Sequence, residues 1–361
     1  MFTLRQYLLA LLDSRGLTRT LGEIDVCRDE QGRPCFSAGN SAAVFRIRLG
    51  GRIRSLRCYL RPMRHLKEIY GQRLLEKELY LHTSPETGVW VDTVLGDWIE
   101  GSTLHETVAQ AAALRDRESL QILVRLFDRL ALALVTDDRA HGDLKPENII
   151  VGDDGTLCPI DFDASYLPAF AGEISPELGT AAYQHPARTA ADFDERIDDY
   201  PAALISTALH ALAEDPTLWD RYGSSDGLLY TPQRIASDPA YRETLALFEK
   251  RGMAVQYRIA QLLTAPTLRL FGLAELLAEA VREKPAARSG TEAETPELFV
   301  ENGRWGYRTA ERVVVAPLYD NGFDFTEGLA AVQLGGTWHY IDTTGRTCLS
   351  FPECELSLIH I

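Results

Sequence analysis

The sequence predicts an α+β protein in three parts: a strand-rich opening, a helical middle and a second run of strands. Three observations carry this prediction. Apolar and polar residues alternate around a Gly-Gly pair early in the chain, apolar residues recur at helical spacing in the middle, and a Trp-bearing stretch repeats after a polar linker. The 361 residues are 45% hydrophobic and 25% charged, enough apolar material for a substantial core, which excludes a wholly disordered chain.

Lys and Arg total 37 against 52 Asp and Glu, a net charge of −15 that argues against a nucleic-acid binder. The balance is uneven: residues 1–75 carry a net +8 and the remainder −23, a basic module on an acidic body. The six cysteines (Cys27, Cys35, Cys58, Cys158, Cys348, Cys354) form no CxxC pair and no zinc spacing, so reduced thiols are expected. The opening MFTLRQYLLALLDSRG has a short apolar run and no cleavage site, and no stretch reaches the ~20 apolar residues of a membrane helix. These features predict a cytoplasmic protein with no membrane association.

Leu4 to Leu12 reads as an amphipathic helix ended near Gly16. Strand-like segments follow from Glu23 to about Leu60. Within them VFRIRL, Gly50-Gly51 and RIRSLRCYL form a hairpin whose two-residue turn suits the strand twist. That register sets Leu49 opposite Arg52 and Val44 opposite Arg57, on a shared face. An apolar strand ends in a polar turn at Leu95–Gly101. From Glu118 to about Val135, Leu120, Leu123, Phe127, Leu130 and Leu134 mark a helix. NIIV and TLCPIDF read as strands flanking a turn at Gly152–Gly155. Beyond Arg196 the chain is mostly helical, with Leu204, Ile205, Leu209 and Leu212 on one helix and Leu273, Leu276, Leu277 and Val281 on another. KPAARSGTEAETP, within a linker assigned to 284–297, is polar and aperiodic.

Strands return after the linker. GRWGYRT at 303–309 recurs as GTWHYID at 336–342. Trp305-Gly306, Pro317-Leu318-Tyr319 and the stretch from Phe325 to Val332 resemble the WG-repeat family of small β-units. The second copy stops before its own later segments, so the natural protein is expected to continue past Ile361, and the closing SLIHI to be non-native.

The strongest chemical signal is His141-Gly142-Asp143-Leu144-Lys145-Pro146-Glu147-Asn148, followed by Asp161-Phe162-Asp163. Phosphoryl transfer needs a carboxylate to orient the attacking hydroxyl, oxygen ligands for Mg²⁺, and cations for the transferred charge. Asp143, Asn148, Asp161 and Lys145 supply these groups. The pattern resembles the eukaryotic-type protein kinases, with a bilobal fold of a small β-rich N-lobe and a helical C-lobe. The resemblance implies an ATP- and Mg²⁺-dependent serine/threonine kinase acting on a protein substrate. Asp143, Lys145 and Asn148 would be catalytic, with Asn148 and Asp161 on the metal.

Further landmarks follow by resemblance. Ser37, Gly39, Asn40, Ser41 and Val44 fall on the phosphate loop and nucleotide roof, and Arg57 on the strand lysine. Backbone groups near Asp97 and Ile99 would read the adenine, and Asp161 would contact the nucleotide through the metal. The acidic partner of Arg57 is Glu68, Glu76 or Glu78. Gly179–Tyr183 resembles the end of an activation segment, with His185-Pro186-Ala187 standing where A-P-E usually stands. Asp198 either hydrogen-bonds the catalytic-loop backbone or simply caps a helix. Gly142 stands where the family carries an arginine that meets a phosphorylated activation segment, which implies no strong activation by phosphorylation there.

The resulting division is a helical extension at 1–19, a kinase-like domain at 20–283 (N-lobe about 20–97, C-lobe about 98–283), a linker at 284–297 and a WG-repeat region, expected to be truncated, at 298–361. Arg57 in place of lysine and the reduced glycine loop keep a nucleotide-binding scaffold open as an alternative, and a small-molecule phosphotransferase as another. The arginines at 46, 48, 52, 54, 57, 61 and 64 are either solvated sheet edges or a dock for an acidic partner, and the repeats are a second candidate partner site. The pairing of the two modules suggests a bacterial source.

Overall fold

A computed structural model describes residues 1–152, 156–282, 296–325, 329–334 and 337–351. The chain divides into two compact units, Met1–Ile99 and Glu100–Ile361.

In the first unit, α1 (Leu4–Leu12) opens on a capping box in which Thr3 and Gln6 satisfy each other's backbone N–H groups. The sheet contains β1 (Asp25–Val26), β2 (Phe36–Ala38), β3 (Ala42–Leu49), β4 (Arg52–Tyr59), β5 (Leu74–His82) and β6 (Gly88–Asp97). Its order is β1-β3-β4-β6-β5, with β2 also on β3. The β3–β4 turn carries positive φ at both Gly50 and Gly51, and the ladder sets Leu49 opposite Arg52 and Val44 opposite Arg57, the register read from sequence. One face buries Phe45, Ile47, Leu56, Leu79 and Leu81 with Tyr7 and Leu11 of α1. The segment read as an extension at 1–19 is therefore part of this unit: its apolar stripe supplies the sheet with a cover. The unit ends at Ile99, two residues beyond the last residue of β6.

Between β4 and β5 lies only a five-residue helix, α2 (Leu66–Tyr70). Glu68 sits exposed in its first turn. Glu76 pairs with Lys67 at 3.1 Å. Glu78 is buried, and its carboxylate accepts from the backbone N–H groups of Arg19, Thr20 and Leu21 and from the Thr20 hydroxyl. Glu78 thus holds the 19–21 loop, which removes it as the partner of Arg57.

The second unit begins with β7 (Gly101–Thr103), α3 (Leu104–Ala113) and α4 (Arg117–Thr136). On α4 the five apolar residues read at helical spacing are all buried, and Asp116 caps its start. Two short strands follow, β8 (Ile149–Gly152) and β9 (Leu157–Pro159). The turn expected at Gly152–Gly155 falls largely on 153–155, which lie outside the described residues. The helices α5 (Asp199–Glu214), α6 (Leu218–Tyr222), α7 (Pro239–Arg251), α8 (Ala254–Leu262) and α9 (Leu273–Arg282) complete a largely helical core. Asp128 of α4 accepts from Ser206 and pairs with His210 of α5 at 2.8 Å, a polar clasp inside that core.

The linker expectation falls largely on residues outside the description, as do Thr326-Glu327-Gly328 and the final residues. The repeat itself comprises β10 (Glu297–Glu301), β11 (Arg304–Arg308), β12 (Val313–Tyr319), β13 (Asn321–Gly322), β14 (Leu329–Leu334), β15 (Thr337–Asp342) and β16 (Thr347–Phe351). Its glycine has a steric reason: a Cβ at Gly306 would meet the Val315 oxygen at 2.7 Å and the Pro317 nitrogen at 2.8 Å. Tyr307, Val315, Tyr319, Ala330, Val332 and Ile341 form a separate small core.

Candidate active site

The His141–Asn148 motif follows α4, and its geometry is set by hydrogen bonds from distant parts of the chain. Asp198, at the start of α5, is buried and receives the backbone N–H groups of His141 and Gly142. Its side chain makes no helix-capping bond, so the plain-cap reading gives way to the loop-holding one. Burial pushes the Asp198 carboxyl up, against the two N–H donors and His141. His141 is fixed by its ring: Nε2 meets the Ile160 oxygen at 2.8 Å, and the ring packs 5.0 Å from that of Phe162.

Asp143 emerges from this frame with both oxygens engaged. Oδ1 accepts from the Thr180 backbone N–H at 2.6 Å, and Oδ2 accepts from Asn148 Nδ2 at 3.2 Å and lies 3.5 Å from the Lys145 ammonium. The Lys145 ammonium donates to the Thr180 hydroxyl at 2.9 Å. Asn148 Nδ2 also donates to the Asp143 carbonyl at 2.9 Å. With Nδ2 committed to Asp143, the Asn148 amide oxygen is turned away from it. Asp143, Lys145 and Asn148 therefore form one cluster. Thr180 joins it through its position, a role its place in the closing stretch of the sequence did not disclose.

Asp161 is tied to the same cluster through its neighbour, since the Ile160 N–H donates to the Asn148 backbone carbonyl at 2.8 Å. Asp161 itself adopts φ +68°, ψ +62°, a left-handed conformation that costs a non-glycine residue about 1 kcal/mol or more. Asp163, which replaces a glycine of the family pattern, is buried at negative φ and so carries its side chain without that strain. The chain then returns along the loop, with Ala140 and Tyr166 exchanging backbone bonds at 3.1 and 2.9 Å.

The remaining candidates lie in the first unit. Ser37 pairs with Val44 across β2 and β3, and the Gly39 N–H donates to the Ala42 oxygen at 2.9 Å. Gly39 and Ala42 thus flank a tight two-residue turn, with the Gly39 N–H engaged inside the hairpin. Asn40 and Ser41 form the tip. Arg57 is half-buried beside Val44, its guanidinium 5.8 Å from the centre of the Tyr59 ring. The Asp97 carbonyl accepts from the Ser55 hydroxyl at 3.0 Å, and Asp97 pairs with Arg54 at 3.2 Å. Ile99 ends the unit, half-buried. Of the other arginines, Arg46 stacks 5.5 Å from Trp98, while Arg52 and Arg64 are exposed.

Comparison with known proteins agrees with both modules. A family model for the WG containing repeat matches residues 308–338. CBL-interacting protein kinase 17 of Oryza sativa subsp. japonica is 28% identical over 172 residues, covering 45% of this chain and 35% of that protein. Serine/threonine-protein kinase PknL of Mycobacterium tuberculosis is 34% identical over 113 residues, covering 30% of this chain and 27% of that protein. The chain carries a protein-kinase-like domain followed by a WG repeat. It spans about a third or less of the length of these curated relatives. A solved structure of the CAK complex from Chaetomium thermophilum bound to ATP-gamma-S covers 71% of this chain and 89% of its own, at 13% identity and a TM-score of 0.41.

At the His185-Pro186-Ala187 turn the glutamate of the family pattern is replaced by Ala187, and the turn is anchored by His185: Nε2 meets the Ala265 oxygen at 3.1 Å and Nδ1 accepts from the Ala187 N–H at 3.1 Å. Among the described residues no group of three His, Cys, Asp or Glu side chains is arranged to hold a metal, and no helix is long and apolar enough to cross a membrane. The donor set of Asn148 amide oxygen and Asp161 carboxylate nonetheless suits Mg²⁺, a hard cation that takes few protein oxygens and completes its shell with water and phosphate.

Proposed function

We propose that this chain is an ATP- and Mg²⁺-dependent serine/threonine protein kinase that transfers the γ-phosphoryl group to a protein hydroxyl. The observation that carries the reading is the Asp143–Lys145–Asn148–Thr180 cluster. It holds one carboxylate and one ammonium together, at the end of a loop pinned by Asp198. Asp143 orients the substrate hydroxyl and takes up its proton as the oxygen attacks. Lys145 offers positive charge to the phosphoryl group in flight. Asn148 and Asp161 are the residues that would hold Mg²⁺, which when bound neutralises phosphate charge. In the first unit, Val44 and Arg57 share one sheet face, a pairing that supports an apolar roof beside a cation for the α- and β-phosphates. Asn40 and Ser41 would supply backbone N–H groups, and Asp97 and Ile99 would meet the adenine edge.

A scaffold reading is motivated by Arg57 in place of the family's lysine and by the reduced glycine loop around Gly39. Incubation with γ-labelled ATP, Mg²⁺ and a generic protein substrate separates the two. The kinase reading expects label on protein hydroxyls, abolished in Asp143→Asn. No label with wild type, alongside nucleotide-independent partner binding through the repeat or the arginine face, supports the scaffold. Label on a small hydroxylated compound alone would instead indicate a small-molecule phosphotransferase.

A further inference from the structure

Arg188 is a residue that no motif marks. It follows the His185-Pro186-Ala187 turn, and its Nη1 donates to the Gly142 oxygen at 3.1 Å and to the Gln184 side-chain oxygen. Its other nitrogens, Nε and Nη2, are buried and have no hydrogen-bond partner among the described residues. An orphaned buried donor has given up its water hydrogen bond without a replacement. Burial pushes the guanidinium's pKa down, while Asp198, Asp143, Asp192 and Asp194 favour its charge. A cation retained in so unfavourable a place calls for a compensating role.

The oxygen it holds belongs to the peptide joining Gly142 to Asp143. Gly142 sits at φ +81°, and glycine is the residue with the most backbone freedom to lose. Asp198 holds the N–H side of that glycine and Arg188 holds its carbonyl side. Fixing both ends fixes the direction in which the next Cα–Cβ bond, that of Asp143, leaves the chain.

We propose that Arg188 is a positioning residue, which clamps the Gly142 carbonyl so that a flexible glycine presents the Asp143 carboxylate in one orientation. This rests on the kinase reading for its effect on rate, but the clamp itself can be measured without catalysis. Two variants test it, Arg188→Met, which keeps the stem and removes the donors, and Arg188→Lys, which keeps the charge. Peptide-resolved hydrogen exchange follows the segment holding His141, Gly142 and Asp143, with α8 and α9 as the internal control.

Arg188→Met is expected to speed exchange in that segment by about tenfold, leaving α8 and α9 unchanged. It should also lower kcat about tenfold or more with the KM for ATP held within about twofold, and Arg188→Lys should recover part of both. Unchanged exchange in both variants, or equal acceleration throughout the unit, overturns the clamp. If wild type transfers no phosphoryl group, the kinase reading falls and the exchange data still decide the role of Arg188. If wild type is active and Arg188→Met keeps full kcat, the kinase reading stands and the positioning role falls.

Discussion

The carbonyl oxygen of Ala164 fills the space where a side chain on residue 142 would begin: a Cβ added to Gly142 would lie 2.1 Å from it. The turn that follows Asp161 therefore presses directly on the loop that presents Asp143. The arginine expected from the family pattern at this position has no room, and the cation beside the loop comes from Arg188 instead.

Gly142→Ala should accordingly be among the most damaging single-methyl changes in the chain. Left-handed φ costs an alanine about 1–2 kcal/mol, and the backbone contact adds to it, so a loss above about 2 kcal/mol is expected. Urea or thermal unfolding of the variant measures this. Wild-type stability would mean that the two segments do not touch.

Thr180 meets Asp143 through its backbone and Lys145 through its hydroxyl. Thr180→Ala removes only the second contact. It should slow phosphoryl transfer by about tenfold, and Thr180→Ser should restore most of the rate. Because the hydroxyl is already held by Lys145, and Ser165 and Ser175 are buried, phosphorylating any of the three should give no large gain. Steady-state assays of stoichiometrically phosphorylated protein check that second expectation.

Asp199, buried beside Asp198 in the first turn of α5, accepts the Leu270 N–H at 3.1 Å, and burial pushes its carboxyl up to about 7. The folded state then binds a proton more readily than the unfolded chain, whose carboxyl titrates near 3.8. Its favourable contribution is present below the unfolded value and is lost as pH rises through about 7. Asp199→Asn should therefore be more stable than wild type at pH 8, by on the order of 1–3 kcal/mol, and less so at pH 5. Unfolding free energies of both proteins across that range are the test, and parallel curves would contradict it.

How much of this was legible depends on how far apart the interacting residues lie. The candidate catalytic strip from His141 to Asn148 is contiguous, so its pattern can be read from the sequence. The Val44–Arg57 register was readable because a Gly-Gly turn fixes every pair outward from it. Helix α4 was readable because five apolar residues share one stripe. By contrast, Arg188 and Glu78 act on backbone groups brought near by tertiary folding, and no local pattern distinguishes them from surface charges. The packing of α1 on the sheet likewise depends on a partner face far along the chain.

In the proposed kinase, the oxygens of Asn148 and Asp161 hold a magnesium–nucleotide complex next to Asp143. Calorimetric titration with ATP, with and without Mg²⁺, measures this most directly in wild type, Asn148→Ala, Asp161→Asn and Asp143→Asn. The expected result is magnesium-dependent affinity that falls at least about tenfold in Asn148→Ala and Asp161→Asn and persists in Asp143→Asn. Affinity indifferent to Mg²⁺, or unchanged by the substitutions at 148 and 161, would contradict it.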